Sequence, residues 1–318
     1  MYSEVIKKIN EANRIYITGH QNPDGDSIGS TFGLYFALKK YGKDVTPILA
    51  SHSATFDFLE GIEDAVEQVK EDKYDLLICV DSSSKNRLAI SSEDFNKAEF
   101  VIMIDHHQEE NPYGDINVID SSLPAACELI FNLINEIGIE FDEKIASYVY
   151  MGLMTDTGSF NYSSTKASTM RAAASLIESG APFCDICKRL NDTIKESKLM
   201  LIKKAIENME VYLDGKIRYT FIDYKTISSL GIDDEDAEGM TNYLRMVEGT
   251  LAAVYVREKS TGELKVSMRS NGNLDVGKVA ISFGGGGHAR ASGYTMDVSN
   301  STYEKEKEKL LNALRSEI

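Results

Sequence analysis

The sequence predicts an α/β fold in which a Rossmann-like parallel sheet comes first and a smaller α+β domain follows. The first part of the chain alternates helical patterns with short strand-like runs at residues 14–19, 74–80 and 101–104, which are mostly apolar and, at 101–104, apolar throughout. Such runs are typical of parallel strands covered on both faces, and helices are the usual crossovers between them. The last part instead alternates polar and apolar residues, at 216–224, 251–258 and 263–269, with a hairpin turn before the third segment.

The remaining elements of the first domain follow in chain order. Residues 1–13 predict a helix before the first strand, and apolar residues at helical spacing predict another over 27–41, which Gly42 would close. Residues 45–49 predict a strand at a sheet edge or strand end, because Pro47 cannot donate a hydrogen bond to a neighbouring strand. Further helices are predicted at residues 142–154, 165–177 and 184–190.

A charged helical stretch over residues 196–212 contains few helix breakers and is interpreted as a connector. Beyond it, the pattern of the sequence changes to alternating strands. We therefore expect a first domain over residues 1–190, a helical linker over 191–212 and a second domain over 213–318.

Two helices are predicted between the strands of the second domain. One covers residues 237–247 and follows the acidic run 233–236, whose charges would complement the positive end of the helix dipole. The other covers residues 275–283 and leads to four consecutive glycines and His288. A strand and a final charged helix complete the chain.

The composition restricts the class of protein and its ligands. Hydrophobic residues make up 42% of the chain and charged residues 26%, which is typical of a globular protein. The net charge of −16 predicts repulsion of long nucleic acids, because basic groups supply most of the affinity for a phosphate backbone. We expect a cytoplasmic protein without membrane contact, since an apolar run of about 18 residues, a signal peptide and a disulfide framework are all lacking.

Acidic residues and histidines follow the ends of the predicted strands in the first domain. In open α/β sheets, ligands bind at the edge formed by the carboxyl ends of the strands. Four aspartates at one edge would raise each other's pKa values, and two divalent cations would neutralise them. Carboxylates and imidazoles without thiolates favour Mn²⁺, with Mg²⁺, Co²⁺ or Fe²⁺ as alternatives. Such a centre is typical of two-metal phosphoester hydrolysis. The residues in question are His20, Asp24, Asp26, Asp81, His106 and Asp156.

Five motifs, in this order, make the chain resemble the DHH phosphoesterase family. They are the loop from His20 to Asp26, Asp81, the trio Asp105-His106-His107, the turn at 155–158 and the glycine-rich stretch at 284–293. The last motif resembles the signature of the DHHA1 substrate domain, and the resemblance covers essentially the whole chain. The compact two-domain length is similar to that of the bacterial oligoribonuclease and pAp-phosphatase group, which includes enzymes that cleave linear pApA.

The resemblance implies a role for each candidate site residue of the first domain. Asp81 would bridge two ions, Asp105 would fix the tautomer of an imidazole, and His107 would face the scissile phosphate instead of an ion. The ligands of one ion would be His20, Asp24 and Asp81, and those of the other Asp26, Asp81, His106 and Asp156.

In the second domain, the resemblance implies residues that hold the other phosphate or the base of the substrate. The backbone N–H groups of Gly286 and Gly287 would approach phosphate oxygens closely. Arg87 of the first domain, six residues after Asp81, is a further candidate for phosphate binding, with an ordinary surface arginine as the alternative. The side chains implied in the second domain are Arg269, Ser270 and His288.

These inferences predict an Mn²⁺-dependent phosphoesterase that removes the 3′-phosphate of pAp and cleaves short oligoribonucleotides or linear dinucleotides. A family II inorganic pyrophosphatase, a single-strand exonuclease and a non-catalytic nucleotide sensor are the alternatives. The sequence leaves open the preferred substrate length, the direction of attack, the metal used in cells, the proton donor to the leaving group and the oligomeric state, with a homodimer as one option.

Overall fold

The computed structural model describes residues 2–107, 111–232 and 236–318, and the chain divides into two compact units, one ending at Thr193 and one beginning at Ile194. Across these ranges, no helix is both long enough and apolar enough to cross a membrane. The predicted α/β class is confirmed, since a parallel sheet with helices comes first and a mixed sheet with helices follows.

The sheet of the first unit is parallel throughout. Its strands are β1 (Arg14–Thr18), β2 (Asp44–Ile48), β3 (Tyr74–Val80), β4 (Ala98–Asp105) and β5 (Ile116–Ile119). Their spatial order is β2-β1-β3-β4-β5, so all carboxyl ends meet at one edge. Pro47 lies in the edge strand β2, as its missing N–H predicts.

The helices of the first unit are α1 (Ser3–Glu11), α2 (Gly25–Lys40), α3 (Ser92–Phe95), α4 (Ala126–Ile137), α5 (Glu143–Asp156), α6 (Ala167–Glu178) and α7 (Phe183–Asn191). Helices α2 and α5 pack directly on each other, because Gly29 and Gly33 leave space for the α5 residues Tyr148 and Val149. Neither β5 nor α4 was predicted: β5 has only four residues, and no side chain caps the start of α4 at Ala125.

The second unit contains a mixed sheet with the spatial order β10-β11-β9-β8-β7-β6, in which only the β7–β8 pairing is parallel. The strands are β6 (Glu210–Tyr212), β7 (Ile217–Ile222), β8 (Ala252–Glu258), β9 (Leu264–Ser270), β10 (Gly286–His288) and β11 (Ala291–Met296). The helices are α8 (Glu196–Glu207), α9 (Tyr224–Ser229), α10 (Met240–Arg245), α11 (Val276–Ser282) and α12 (Tyr303–Glu317).

The segment interpreted as a linker contributes to the second unit. Leu201, Ile202 and Ala205 of α8 pack against Ile222 and Tyr255, and the segment ends in the edge strand β6. The helix predicted over 237–247 is shorter, because Gly239, with a φ of 84°, precedes its first turn. The acidic residues 233–235 of the run before that helix lie outside the described residues.

Candidate active site

Residues at the ends of strands and helices form the candidate site of the first unit. His20 lies shortly after β1, Asp81 follows β3, and Asp105 is the last residue of β4. Asp24 caps the start of α2, and Asp156 is the last residue of α5. The parallel strands place their ends at one edge, and the packing of α2 on α5 brings the helix residues to the same place. The structure therefore brings together the candidate ligands named from the sequence.

Three carboxylates surround the imidazole of His106. Its Nε2 lies 3.3 Å from Asp156 Oδ2, 3.5 Å from Asp81 Oδ1 and 3.7 Å from Asp26 Oδ2. Both Nε2 of His106 and Oδ1 of Asp81 are buried and form no hydrogen bond with the part of the chain that the structure describes. Because buried polar atoms nearly always have a hydrogen-bond partner, this arrangement indicates atoms that can bind a cation.

Asp81 connects this group to a second one. Its Oδ2 lies 3.6 Å from Nε2 of His20, and the same nitrogen lies 3.8 Å from Asp24 Oδ1. The two oxygens of one carboxylate therefore face two different imidazoles. Asp81 also has a φ of 50°, a left-handed conformation that is uncommon outside glycine and often found at functional sites.

Burial and mutual repulsion raise the pKa values of three of these carboxyl groups. Burial raises the pKa of Asp81 well above its usual range, and the charges of Asp26 and Asp24 add to the effect. Burial is also the main cause that raises the pKa of Asp26. The pKa of Asp156 rises to about 9, first through burial and then through the other three carboxylates. A bound cation would reverse these shifts, because it stabilises the ionised forms.

Asp105 orients His107. Oδ1 of this fully buried carboxylate accepts hydrogen bonds from the backbone N–H groups of His106, at 2.7 Å, and His107, at 3.1 Å. The same oxygen lies 2.8 Å from Nδ1 of His107. Burial by itself would raise the pKa of Asp105, but the hydrogen bond and charge of His107 outweigh burial and lower it. An ionised Asp105 thus favours the tautomer of His107 that carries its proton on Nδ1.

The sequence pattern did not predict the group that fixes Asp26. The backbone N–H of Ala126 donates to Oδ2 of Asp26 at 2.6 Å, and that of Cys127 donates to Oδ1 at 2.9 Å. Both donors belong to the first turn of α4, the helix that was not predicted. The apolar residues of α4, which recur at helical spacing before Gly138, are the signal that could have revealed it.

The donor atoms fit divalent cations. Oxygen and imidazole donors without thiolates are the ligands that Mn²⁺ and related hard or borderline cations prefer. Within the described ranges, three sets of donor atoms lie within 4.8 Å of one another. The sets are His20, Asp24 and Asp81; Asp26, His106 and Asp156; and Asp81, Asp105, His106 and His107.

Strand pairing in the second unit places Arg269 and His288 on one face of the sheet. Arg269 of β9 pairs with Ala291 of β11, and Ala291 pairs with His288 of β10. Directly paired residues point to the same face, so a basic side chain and an imidazole flank the small Ala291. This geometry suits an anion held between the two side chains.

Of the two remaining candidates for substrate binding, Ser270 is buried and Arg87 is exposed. Ser270 is only 3% exposed, and its hydroxyl lies at hydrogen-bond distance from the carbonyl oxygens of Leu274, at 2.7 Å, and Ala289, at 3.1 Å. It follows Arg269 in the strand and therefore points to the opposite face of the sheet. Arg87 is exposed, and its carbonyl accepts a hydrogen bond from Gln21 in the loop after β1. Its positive charge opposes the rise in the pKa of Asp81.

Of the three glycines at 285–287, two are required by close strand pairing and one is not. A Cβ at Gly285 or Gly287 would lie 2.2 Å or 2.5 Å from carbonyl oxygens of β11, so close strand pairing requires glycine at both positions. A Cβ at Gly286 would meet no atom within 4 Å. Gly286 therefore presents open backbone, whereas Gly287 is required by its own strand.

Comparisons with protein families match both units. The model of the DHH family, N-terminal domain, matches residues 14–153, and the model of the DHHA1 domain matches residues 215–318. The two matches reproduce the order of the two units along the chain.

Individual proteins are similar over nearly the whole chain. The bifunctional oligoribonuclease and PAP phosphatase NrnA of Thermus thermophilus is 31% identical, with the alignment covering 100% of this chain and 94% of that protein. An exopolyphosphatase-related protein from Bacteroides fragilis has a TM-score of 0.90 at 27% identity, covering 98% of this chain and 95% of that one. RecJ from Thermus thermophilus, in complex with Mn²⁺, shares the fold at 16% identity and a TM-score of 0.58, over 98% of this chain and 54% of RecJ. With both family domains and the ordered motif residues in place, the chain belongs to the DHH family of phosphoesterases and carries a DHHA1 domain.

Proposed function

We propose that the protein is a two-metal phosphoesterase of small nucleotides. It removes the 3′-phosphate of pAp and hydrolyses short oligoribonucleotides, including linear pApA, to mononucleotides. The observation that carries this proposal is the position of Asp81, whose two oxygens face two donor groups that each contain an imidazole and further carboxylate oxygens. The name of the Thermus thermophilus relative supports this choice of substrates.

The candidate side chains of the first unit are proposed to act as metal ligands, as a contact to the phosphate or as the group that orients this contact. When bound, two divalent ions would polarise the phosphate and lower the pKa of an attacking water. His107, oriented by Asp105, stabilises the negative charge that develops on the phosphate oxygens. The proposed ligands of one ion are His20, Asp24 and Asp81, and those of the other are Asp26, Asp81, His106 and Asp156.

Mn²⁺ is the proposed ion, with Mg²⁺, Co²⁺ or Fe²⁺ as alternatives, because the donors are carboxylates and imidazoles. The presence of Mn²⁺ in the RecJ structure of the same fold is consistent with this choice. We place the reaction in the cytoplasm, where the four free cysteines would remain reduced.

The second unit is proposed to hold the distal phosphate or base of the substrate. Arg269 and His288 share one face of their sheet, and the open backbone of Gly286, next to Gly287, allows a phosphate oxygen to approach. Arg87 is proposed to assist phosphate binding beside Asp81. Ser270 is proposed to support the strand through its buried hydroxyl and not to contact the substrate.

The net charge of −16 favours substrates with few phosphates. Each further phosphate of a long RNA would meet a negatively charged protein, so we propose that long nucleic acids are poor substrates. A homodimer is proposed as the working assembly.

A panel of substrates tests this function. Phosphate or mononucleotide release is measured with Mn²⁺ for pAp, pApA, a five-nucleotide RNA, a thirty-nucleotide RNA and pyrophosphate. We expect efficient hydrolysis of pAp, pApA and the five-nucleotide RNA, and slow hydrolysis of the other two. Preference for pyrophosphate would instead support a pyrophosphatase, equal efficiency on the long RNA would support an exonuclease, and binding without turnover would support a nucleotide sensor.

Arg269→Ala is expected to raise the KM for pAp about tenfold or more, because a charge-assisted hydrogen bond to the distal phosphate is lost. A chromogenic phosphodiester without a second phosphate should be affected much less. Steady-state kinetics on both substrates measure the difference, and an equal loss on both would contradict the assignment of Arg269 to the distal phosphate.

Gly152→Ala is expected to disturb Asp26 through Cys127. A Cβ at residue 152 would lie 2.2 Å from Sγ of Cys127 and 3.0 Å from Oδ1 of Asp26. We expect a loss of about 1–3 kcal/mol in the free energy of unfolding, as is typical of overpacking, together with weaker Mn²⁺ binding measured by calorimetry.

The double variant Cys127→Ala/Gly152→Ala serves as the matched control, because removal of Sγ makes room for the new methyl group. It should recover most of the stability and of the Mn²⁺ affinity. If the double variant binds Mn²⁺ as weakly as Gly152→Ala, the loss arises from the direct contact of the new methyl group with Asp26 and not through Cys127.

A further inference from the structure

The end of β9 carries a hydrogen-bonded cluster that has no role in the function proposed above. The backbone N–H of Asn271 donates to the carbonyl of Leu251 at 2.9 Å, which extends the pairing of β9 with β8 by one residue. The side-chain Nδ2 of Asn271 donates to the carbonyl oxygens of Arg245, at 3.0 Å, and Thr250, at 2.9 Å. Its Oδ1 accepts a hydrogen bond from Nη1 of Arg245 at 3.2 Å. Asn271 thus holds Arg245 by both its backbone and its guanidinium.

The same cluster contains polar atoms without partners. Nε of Arg245 and Oγ1 of Thr250 are buried and have no hydrogen-bond partner among residues 2–107, 111–232 and 236–318. Thr250 is only 3% exposed. In those ranges, no carboxylate forms an ion pair with Arg245, although a guanidinium is always charged. A fixed arginine with uncompensated charge is typical of a site that binds an anion.

Arg245 and Arg269 lie on the same face of the sheet. Arg269 precedes Asn271 by two residues in an extended segment, so their side chains point to the same side. Helix α10 packs on β8 and β9 and ends at Arg245. The guanidinium of Arg245 contacts the side chain of Asn271, so it lies on the same face of the sheet as Arg269. Arg269 and Asn271 are two residues apart along the strand, a separation of about 7 Å. This is similar to the distance between neighbouring phosphates of a nucleotide chain.

We propose that Arg245, held by Asn271, binds one further phosphate of an oligoribonucleotide. The inference rests on the proposed function and extends it, because it assigns a subsite that pAp and 5′-phosphorylated dinucleotides do not fill. A 5′-phosphorylated trinucleotide is the shortest substrate with a third phosphate for Arg245. The subsite therefore favours trinucleotides relative to dinucleotides.

Kinetics on 5′-phosphorylated di- and triadenylate test the subsite, with the full-length protein and Mn²⁺. Arg245→Gln is expected to raise the KM for the trinucleotide about tenfold, as for the loss of a charge-assisted hydrogen bond, and the KM for the dinucleotide by much less. Arg245→Lys keeps the charge and should restore part of the trinucleotide affinity. Arg315→Gln, which removes an arginine from the exposed side of α12, is the matched control and should leave both KM values unchanged.

The outcomes separate the subsite from a structural role. Equal effects of Arg245→Gln on the two substrates, or no effect on either, would overturn the proposal, since the cluster would then serve only the fold. If Arg245→Gln lowers the melting temperature severely, Arg245→Lys replaces it as the test variant. The ratio of the KM for the trinucleotide to the KM for the dinucleotide is then compared between Arg245→Lys and the unaltered protein. Failure of the unaltered protein to cleave either substrate would overturn the proposed function itself, independently of Arg245.

Discussion

Asp81→Asn is expected to remove one or both Mn²⁺ ions and to lower turnover by about three orders of magnitude or more, because the carboxylate that is proposed to bind both ions loses its charge. Asp81 faces both imidazoles, with Oδ2 3.6 Å from His20 and Oδ1 3.5 Å from His106, so this one change affects both donor groups. Asparagine has nearly the same shape and tolerates the left-handed conformation at a φ of 50°. Mn²⁺ binding by calorimetry and metal analysis of the purified variant measure the loss.

The stability of the metal-free protein provides the control for this variant. Burial and the neighbouring carboxylates raise the pKa of Asp81, which means that its ionised form destabilises the metal-free fold near neutral pH. Metal-free Asp81→Asn should therefore melt at a temperature no lower than that of the metal-free unaltered protein. Full activity of Asp81→Asn that is retained in excess chelator would contradict the two-metal proposal.

His107→Ala is expected to keep both ions and to lose about two to three orders of magnitude in kcat. The side chain is proposed to stabilise charge on the phosphate, and removal of one such donor typically has an effect of that size. The hydrogen bond between Nδ1 of His107 and Asp105 gives the imidazole a fixed orientation for this task. Metal content and kcat of the purified variant are the two measurements.

The metal content distinguishes two roles for His107. Nδ1 also lies 3.7 Å from Oδ1 of Asp81, and His107 belongs to one of the donor sets that could hold an ion. If His107→Ala loses an ion, His107 is a metal ligand and its assignment to the phosphate is incorrect. The Asp81→Asn variant then supplies the reference for the metal content expected when a ligand is lost.

The distribution of apolar and acidic residues along the sequence was sufficient to predict the parallel sheet and the edge at which the site lies. Continuous apolar runs mark strands buried on both faces, and Asp81 and Asp105 stand where two of these runs end. The carboxyl ends of parallel strands must meet at one edge, so the clustering of these residues follows from the sequence pattern alone. The family resemblance then divided the candidate ligands into two sets that share Asp81.

The tertiary structure decided which groups hold these residues in place. The N–H groups of Ala126 and Cys127 reach Asp26 across 100 and 101 residues of sequence, and no local pattern encodes such a contact. The left-handed conformation of Asp81 and the close packing around Gly152 likewise depend on neighbours brought together by folding.

The register of the second sheet decided which neighbouring residues share a face. Arg269 and His288 flank Ala291, whereas Ser270, adjacent in sequence to Arg269, points to the opposite side and is buried. A shift of one residue in a strand exchanges the two faces, and the sequence did not specify how β10 and β11 pair with β9. The sequence therefore determined the chemical groups available to the protein, whereas long-range packing and strand register determined which of them act together.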